Sequence, residues 1–566
     1  MKVYLKFKRN NKTEILTEES TEFKIYQEKI ENGYRIKGVF SPNIPITFKE
    51  SYISLDYKIN DNDIISANGY QSWTETSEYN ALDTQYDTNH FFHFINKYII
   101  DTGGDRKIHK LKEKKGIISS HKYIYLRNED NTNYRLFGSL NSENCFTIFE
   151  SDYNAQEMRI YADFKDTTIT TDKTLFDFVY LEGTRDYVFD KFFELMKIYP
   201  ITDKKIKGFT SWYNYYTNIN EEIILKNVEN FKKFKEEGNR VDIFQIDDGY
   251  QTFAGDWLDI IPEKFPNGLM PIADEINKNF MSGLWLAPFC VSPKSRLYKE
   301  HPDYILRNEK GKAPRVFYAN ERCFVLDIYN ENVVRYLRRV FTTVFDKWHF
   351  KMVKLDFLYD ACVLPRLDKS RGKVMYDAVN LLRTLCSNHM ILGCGVPLEA
   401  CYGIFEYSRI GCDVSLDYEG DKVMSLVSKE AVSTKKAILD TVNRYVINNR
   451  ALLNDPDVFF LRTNNISLTH NEKMLVAVTN AIFGSVLFTS DDFSLYEDEK
   501  IYEELKYIWH LNDSEILDYN IYDKDKIKVL ISLDEKEYIY YLNASDNPWS
   551  IDDNTIEKRS YKYIES

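Results

Sequence analysis

The stretch Met352-Val-Lys-Leu-Asp-Phe-Leu358 is an apolar, strand-like run that carries one lysine and ends on a carboxylate. Lys354 and Asp356 are two residues apart, so in a strand both side chains point the same way. An amine inside an apolar strand requires a charge partner nearby. A second run, Tyr407-Ser-Arg-Ile-Gly-Cys-Asp413-Val, delivers another carboxylate four residues after Arg409. Both belong to a series of apolar runs that alternate with amphipathic segments: Ile206–Trp212, Val241–Asp247, Ser282–Pro288, Met352–Leu358, Met390–Gly395, Gly403–Gly411, Asp457–Leu461 and Gly484–Ser490. Eight is the number a closed parallel barrel needs, and the residues just past its strands converge on one open face. The pattern predicts a (β/α)8 TIM barrel.

The intervening helices have their own signatures. Glu221–Glu237 follows Asn220, has two acids in its first turn and stops at Gly238. Ile224, Val228 and Phe231 fall on one face at helical spacing. Asn332–Trp348 repeats this through Val333, Leu337, Val340, Phe341, Val344 and Trp348.

Upstream, short alternating runs such as Thr21-Glu-Phe-Lys-Ile-Tyr and Glu157-Met-Arg-Ile-Tyr-Ala are separated by Asn, Asp and Gly turns, which predicts an antiparallel sandwich. Within it lies a Gly-marked aromatic loop, Asn68-Gly-Tyr-Gln-Ser-Trp73. Downstream, a helix at Lys500–Trp509 leads into strand-like runs. The expected organisation is multidomain: an N-terminal β-sandwich over residues 1–195, a catalytic barrel over 196–495 and a small C-terminal antiparallel β domain over 496–566.

A net charge of -13 argues against nucleic acid or anionic membrane as partners, because both select basic surfaces. No apolar run reaches the ~20 residues needed to cross a bilayer. The amino terminus alternates like a strand and lacks the apolar core of a signal peptide. Eight scattered cysteines without a Cys-x-x-Cys pair read as reduced thiols. A cytoplasmic protein is expected.

Taken in order, the strand ends supply Trp212 and Tyr213, then Asp247 and Asp248, then Trp285, then Lys354 and Asp356, then Cys394 and Gly395, and finally Arg409 and Asp413. Each has an ordinary structural use: an Asp can cap the next helix, Asp-Asp-Gly can be a turn, a Trp can pack, and a Cys can be a small buried hydrophobe. Their joint occurrence at successive strand ends points instead to a sugar, whose C–H faces stack on rings and whose hydroxyls donate to carboxylates. His90, His93 and His301 suit packing or surface positions, and Thr102-Gly-Gly-Asp is too short for a phosphate loop. A divalent cation on Asp247, Asp248 and Asp356 would compete with Lys354, so no metal and no cofactor are expected.

The motifs together resemble glycoside hydrolase family 36, the retaining α-galactosidases, in their shorter bacterial form. Asn68-Gly-Tyr-Gln-Ser-Trp, Phe209-Thr-Ser-Trp-Tyr, Phe244-Gln-Ile-Asp-Asp-Gly-Tyr, Gly255-Asp-Trp-Leu, Gly283-Leu-Trp-Leu-Ala-Pro-Phe, Lys354-Leu-Asp-Phe-Leu, Leu392-Gly-Cys-Gly and Ser408-Arg-Ile-Gly-Cys-Asp follow in family order. The resemblance implies that Asp356 is the nucleophile and Asp413 the acid/base. It implies that Asp247 and Asp248 grip the 4- and 6-hydroxyls, and that Lys354 and Arg409 contact hydroxyls near O3 and O2. Trp73, Trp212, Tyr213 and Trp285 would form aromatic walls, with Cys394 and Gly395 on the pocket floor. Two departures stand out: Cys412 replaces a usual Pro before the acid/base, and Gly393-Cys-Gly replaces the large-subunit signature.

In such an enzyme one carboxyl attacks the anomeric carbon while the other protonates the leaving oxygen. Lys354 is expected to keep Asp356 ionised, and Asp356 to raise the pKa of Asp413. The substrate class implied is a small oligosaccharide with terminal α-galactose, handled by a monomer or homodimer. An α-N-acetylgalactosaminidase, a transglycosylase, a non-catalytic carbohydrate-binding protein and a metal-dependent barrel hydrolase remain open beside it.

Overall fold

A computed structural model describes residues 1–85, 108–318, 321–420, 431–496 and 498–566. His90, His93 and the Thr102-Gly-Gly-Asp stretch lie outside the described residues.

The N-terminal region forms two seven-stranded antiparallel sheets. In the strand Lys2–Arg9, Val3, Leu5 and Phe7 alternate inward, as the period-two pattern requires. They share one core with Phe40, Phe48, Ile53, Phe137 and Phe178 from both sheets. A helix, Arg185–Met196, is capped by Thr184 and buries Val188, Phe189, Phe192 and Phe193. It lies so close to the strand Tyr134–Ser139 that a Cβ on Gly138 would sit 2.4 Å from the Phe192 ring.

The centre is a nine-stranded, wholly parallel sheet. Its strands are Ile206–Thr210, Ile243–Ile246, Met281–Leu286, Met352–Leu355, Met390–Gly393, Tyr407–Arg409, Leu453–Asp455, Val458–Phe459 and Val486–Thr489. Leu453–Asp455 lies at one edge of the sheet, beside Tyr407–Arg409, and Val458–Phe459 lies at the other, beside Val486–Thr489. Only Pro456 and Asp457 separate these two edge pieces, so the sheet curls back on itself into a barrel-like core. The expected strand Asp457–Leu461 is thus corrected to the shorter Val458–Phe459, with an additional short strand, Leu453–Asp455, before it. Pro456 cannot donate to a ladder, and Asp457 adopts a positive φ of 80°, so the run must break there. The sixth strand is also shorter than expected, Tyr407–Arg409 in place of Gly403–Gly411.

Asn220 accepts from the Ile223 N–H at 2.8 Å and opens the helix Glu221–Glu236, which buries Ile224, Val228, Phe231 and Phe234. The predicted helix 332–348 is α-helical over Glu331–Thr342 and widens into a π turn at Thr343–Lys347. Between the third and fourth barrel strands the chain makes an antiparallel excursion, Cys290–Val291, Val316–Tyr318 and Glu321–Val325, which sequence periodicity did not anticipate.

The helix Glu499–Leu511 buries Trp509, whose Nε1–H donates to the Arg240 carbonyl at 2.6 Å. It precedes a four-stranded antiparallel sheet, Glu515–Tyr522, Lys526–Leu533, Lys536–Asn543 and Ser560–Glu565. Among the described residues no helix is long and apolar enough to cross a membrane.

Candidate active site

Met352–Leu355 is buried along its whole length, and the ladder carries one residue further: the Asp356 N–H donates to the Leu286 carbonyl at 2.8 Å. That continuation plants Asp356 at the strand end with its carboxylate buried. Oδ2 accepts from the Trp285 Nε1–H at 3.0 Å, and Oδ1 from the Phe357 N–H at 2.8 Å. Phe357 takes a left-handed φ of 54° as the chain turns away.

Lys354 finds the charge partner its position demands. Its Nζ lies 2.9 Å from Asp247 Oδ2, with both side chains almost fully buried. The same oxygen accepts from Gln245 Nε2–H at 2.9 Å and the Thr210 hydroxyl at 3.3 Å, while Oδ1 accepts from the Asp248 N–H at 2.9 Å. Asp248 in turn accepts from Gln251 Nε2–H at 2.6 Å and from the Tyr318 hydroxyl at 2.7 Å. Burial, the largest single influence, works against the Lys354 charge, but the acidic groups around it, led by the Asp247 carboxylate and joined by Asp356, together outweigh it and the pKa is raised.

The lysine was expected to hold Asp356 ionised, and its charge does act in that direction. Burial is the larger effect, however, and the Asp356 carboxyl stands above its ordinary range, with the Asp413 charge adding to the rise. Burial also raises Asp248.

On the other side Arg409 is a three-way hub. Nη1 donates to Asp413 Oδ1 at 2.7 Å, Nη2 to Asp457 Oδ1 at 2.7 Å, and Nε lies 3.5 Å from Asp455 Oδ2. The Asp413 side chain is 37% exposed, whereas those of Arg409, Asp455 and Asp457 are sealed. Asp457 also accepts from the Tyr213 hydroxyl and from the Val414 N–H. Burial pushes its carboxyl up to about 7 against the pull of Arg409.

Trp73 reaches the same mouth from the amino-terminal sheets. Its Nε1–H donates to Cys394 Sγ at 3.3 Å, and its ring meets Phe357 edge-on at 5.1 Å. Gly395 has a φ of 54°, and a Cβ there would lie 3.0 Å from the Trp73 ring, so the approach requires glycine. Trp285 is buried and packs edge-on against Trp257 at 5.9 Å. Trp212 stands half-buried at the end of the first strand, and its ring contact is with Tyr216 at 5.3 Å, not with another predicted residue. His301 stacks on Tyr304 at 4.5 Å, away from this network.

Several participants were missed, among them Asp455 on Arg409, Gln251 on Asp248, Tyr318 and Asp457. Tyr318 arrives on the unpredicted excursion. Asp457 was read as the start of a strand, although a Pro-Asp pair inside an apolar run signals a break that can present a side chain. Among the described residues no group of three or more His, Cys, Asp or Glu is arranged to hold a metal ion.

The arrangement defines a class: a multidomain, barrel-centred protein whose strand ends gather carboxylates, two cations and aromatic rings in one mouth. Residues 201–378 match the profile of the melibiase family. Among curated relatives, the alpha-galactosidase AgaA of Geobacillus stearothermophilus is 32% identical over 154 residues, covering 26% of this chain and 20% of the relative. The probable alpha-galactosidase C of Aspergillus flavus is 29% identical over 165 residues, 26% of this chain and 21% of the relative. The matches therefore span about a fifth of those relatives' own lengths. The fold extends much further. An alpha-galactosidase of Thermus thermophilus, solved with p-nitrophenyl alpha-D-galactopyranoside, superposes with a TM-score of 0.70 at 21% identity, over 94% of this chain and 98% of that one. The Geobacillus stearothermophilus family 36 structure gives a TM-score of 0.61 at 15% identity, over 95% and 80%.

Proposed function

We propose that the chain is a retaining α-galactosidase that removes terminal α-linked galactose from small oligosaccharides by double displacement. The observation that carries this reading is the convergence of Asp247, Asp248, Asp356 and Asp413 with Lys354, Arg409 and Trp285 around one mouth. The match to the melibiase profile supports it. So do the ligands with which structural neighbours were solved: p-nitrophenyl alpha-D-galactopyranoside, stachyose and raffinose.

In this reading the Asp356 carboxylate attacks the anomeric carbon. The Trp285 and Phe357 N–H donors favour its ionised form against burial. Asp413 gives its proton to the leaving oxygen, then takes one from the water that releases the sugar. Its exposed edge leaves room for that water. Because Asp455 and Asp457 share Arg409, the guanidinium is not committed to Asp413 alone. Asp247, Asp248 and Lys354 present acceptors and a donor for hydroxyls of the same ring, and Trp73, Trp212, Tyr213 and Trp285 enclose it over the floor at Cys394 and Gly395.

We also read the chain as an N-terminal sandwich (1–195), a (β/α)8 barrel (196–495) and a C-terminal β domain (496–566), acting without cofactor in the cytoplasm as a monomer or homodimer. Eight free, buried cysteines support the reducing compartment.

The test is hydrolysis of p-nitrophenyl α-D-galactopyranoside with chelator present, by the wild type and by Asp356→Ala. Turnover by the first and none by the second is expected. Turnover only of the α-N-acetylgalactosaminide would overturn the substrate assignment.

A further inference from the structure

Arg444 directly follows the helix Thr434–Asn443 and is fully buried. Among the described ion pairs it has no carboxylate partner. Its guanidinium faces backbone instead. Nη1 donates to the carbonyls of Ser72 at 2.6 Å and Ile410 at 2.7 Å. Nη2 donates to those of Thr74 at 2.9 Å, Gln71 at 3.1 Å and Gly69 at 3.4 Å, and Nε to Asn68 Oδ1 at 3.1 Å. The amino-terminal loop Asn68–Thr74 is thus wound around one cation from a barrel helix, and the remaining acceptor, Ile410, lies between Arg409 and Asp413.

Burying a cation whose direct hydrogen bonds all go to neutral oxygens, with the Asp440 carboxyl only nearby, is a costly way to gain stability alone. What a rigid planar fork supplies is geometry, since five N–H vectors are fixed in one plane. The loop is tied at its flanks as well: Ser72 N–H donates to the Val396 carbonyl at 2.9 Å, and Thr76 N–H to Asp440 Oδ1 at 2.6 Å. The loop's last aromatic, Trp73, reaches Cys394 and Phe357, and Phe357 is the residue after Asp356.

We propose that Arg444 is a positioning residue that sets the register between the amino-terminal loop, with its Trp73 wall, and the strand end that carries Arg409 and Asp413. This rests on the glycosidase reading of the mouth. Arg444 touches no substrate and acts through Trp73 and Ile410.

Two measurements on the full chain test it. In a double-mutant cycle of Trp73→Phe and Arg444→Lys, each single change is expected to raise KM for the nitrophenyl galactoside about tenfold, and the double variant to be within about twofold of the worse single, because residues acting as a unit are not additive. In hydrogen exchange, Arg444→Lys is expected to speed exchange of the amides of residues 68–76 by about tenfold while Ile206–Thr210 stays protected, because local opening is independent of global unfolding. Asn68→Ala, which removes one acceptor, should show the same pattern more weakly if Arg444→Lys folds poorly. Multiplicative kinetic effects, or loop exchange unchanged in the variants, would overturn the proposal. Should the wild type be inert on galactosides, the functional reading falls. The exchange arm then still decides whether Arg444 holds the loop.

Discussion

The two halves of the barrel mouth are built on opposite principles. On the side of the second to fourth strands, Asp247, Asp248, Lys354 and Asp356 are sealed: Lys354 donates to Asp247, Trp285 to Asp356, and Tyr318, on the short excursion behind, to Asp248. On the side of the sixth and seventh strands, one guanidinium carries three carboxylates, and the foremost of them, Asp413, faces solvent. The same residue type therefore has two environments a few side chains apart. A dry carboxylate fixed by two N–H groups is suited to attack. An exposed one on a shared cation is suited to exchange protons with substrate and water. In the proposed reading, environment, not identity, separates the two roles.

The largest effect should come from breaking the dry half. Asp356→Ala is expected to lower kcat by on the order of 10⁴-fold or more on every α-galactoside, because the proposed nucleophile is removed. Steady-state assay on activated and natural substrates checks this. Asp413→Ala should separate the halves kinetically. A loss of about 10²- to 10⁴-fold is expected on an oligosaccharide, but little on an aryl galactoside whose leaving group needs no proton. Equal losses on both substrates would refute the division of roles.

Lys354→Met probes how the sealed half is held. Removing one member of a buried pair leaves Asp247 uncompensated, and a destabilisation of about 3 kcal/mol is expected from denaturant midpoints. Arg409→Met should produce a similar cost, from the stranding of Asp455 and Asp457. Comparing the two losses ranks the halves by how tightly their charges are tied.

The smallest effect lies in the layer behind the open half. Asp440 is packed against Gly411, accepts from Thr76 N–H and faces Arg444, Lys436 and Glu75. Burial lifts its carboxyl to about 8. With a folded pKa above the unfolded one, the folded state keeps its proton while the unfolded state has lost it. Stability from this group is full at low pH and is lost as pH rises from ~4 through ~8. Asp440→Asn should flatten that part of the Tm–pH curve, which thermal melts at stepped pH would measure.

Much of this was legible in the chain itself. Lys354 and Asp356 could be read as neighbours on one face because strand parity is a local rule, and the partner Lys354 required could be inferred from the cost of burying an amine. The helix 221–236 was readable to within one residue from its cap and its apolar stripe. Less legible was the identity of that partner: Asp247 is 107 positions away from Lys354. The break at Pro456 was visible in principle. The strand was read as beginning at Asp457, directly after that proline, so the short strand before it and the placement of Asp457 were missed.

The sequence alone determined the alternation of strands and helices, the strand-end carboxylates and the aromatic loop at Asn68–Trp73, because each depends on spacing and on short-range steric and solvation rules. Only the tertiary structure decided that Tyr318 would back Asp248, that Arg409 would be divided among three carboxylates, and that Arg444 would draw the loop onto the barrel. Those contacts join segments far apart in the chain, and in a folded interior polar groups take the partners that packing brings within reach. Local pattern does not encode which partner that will be.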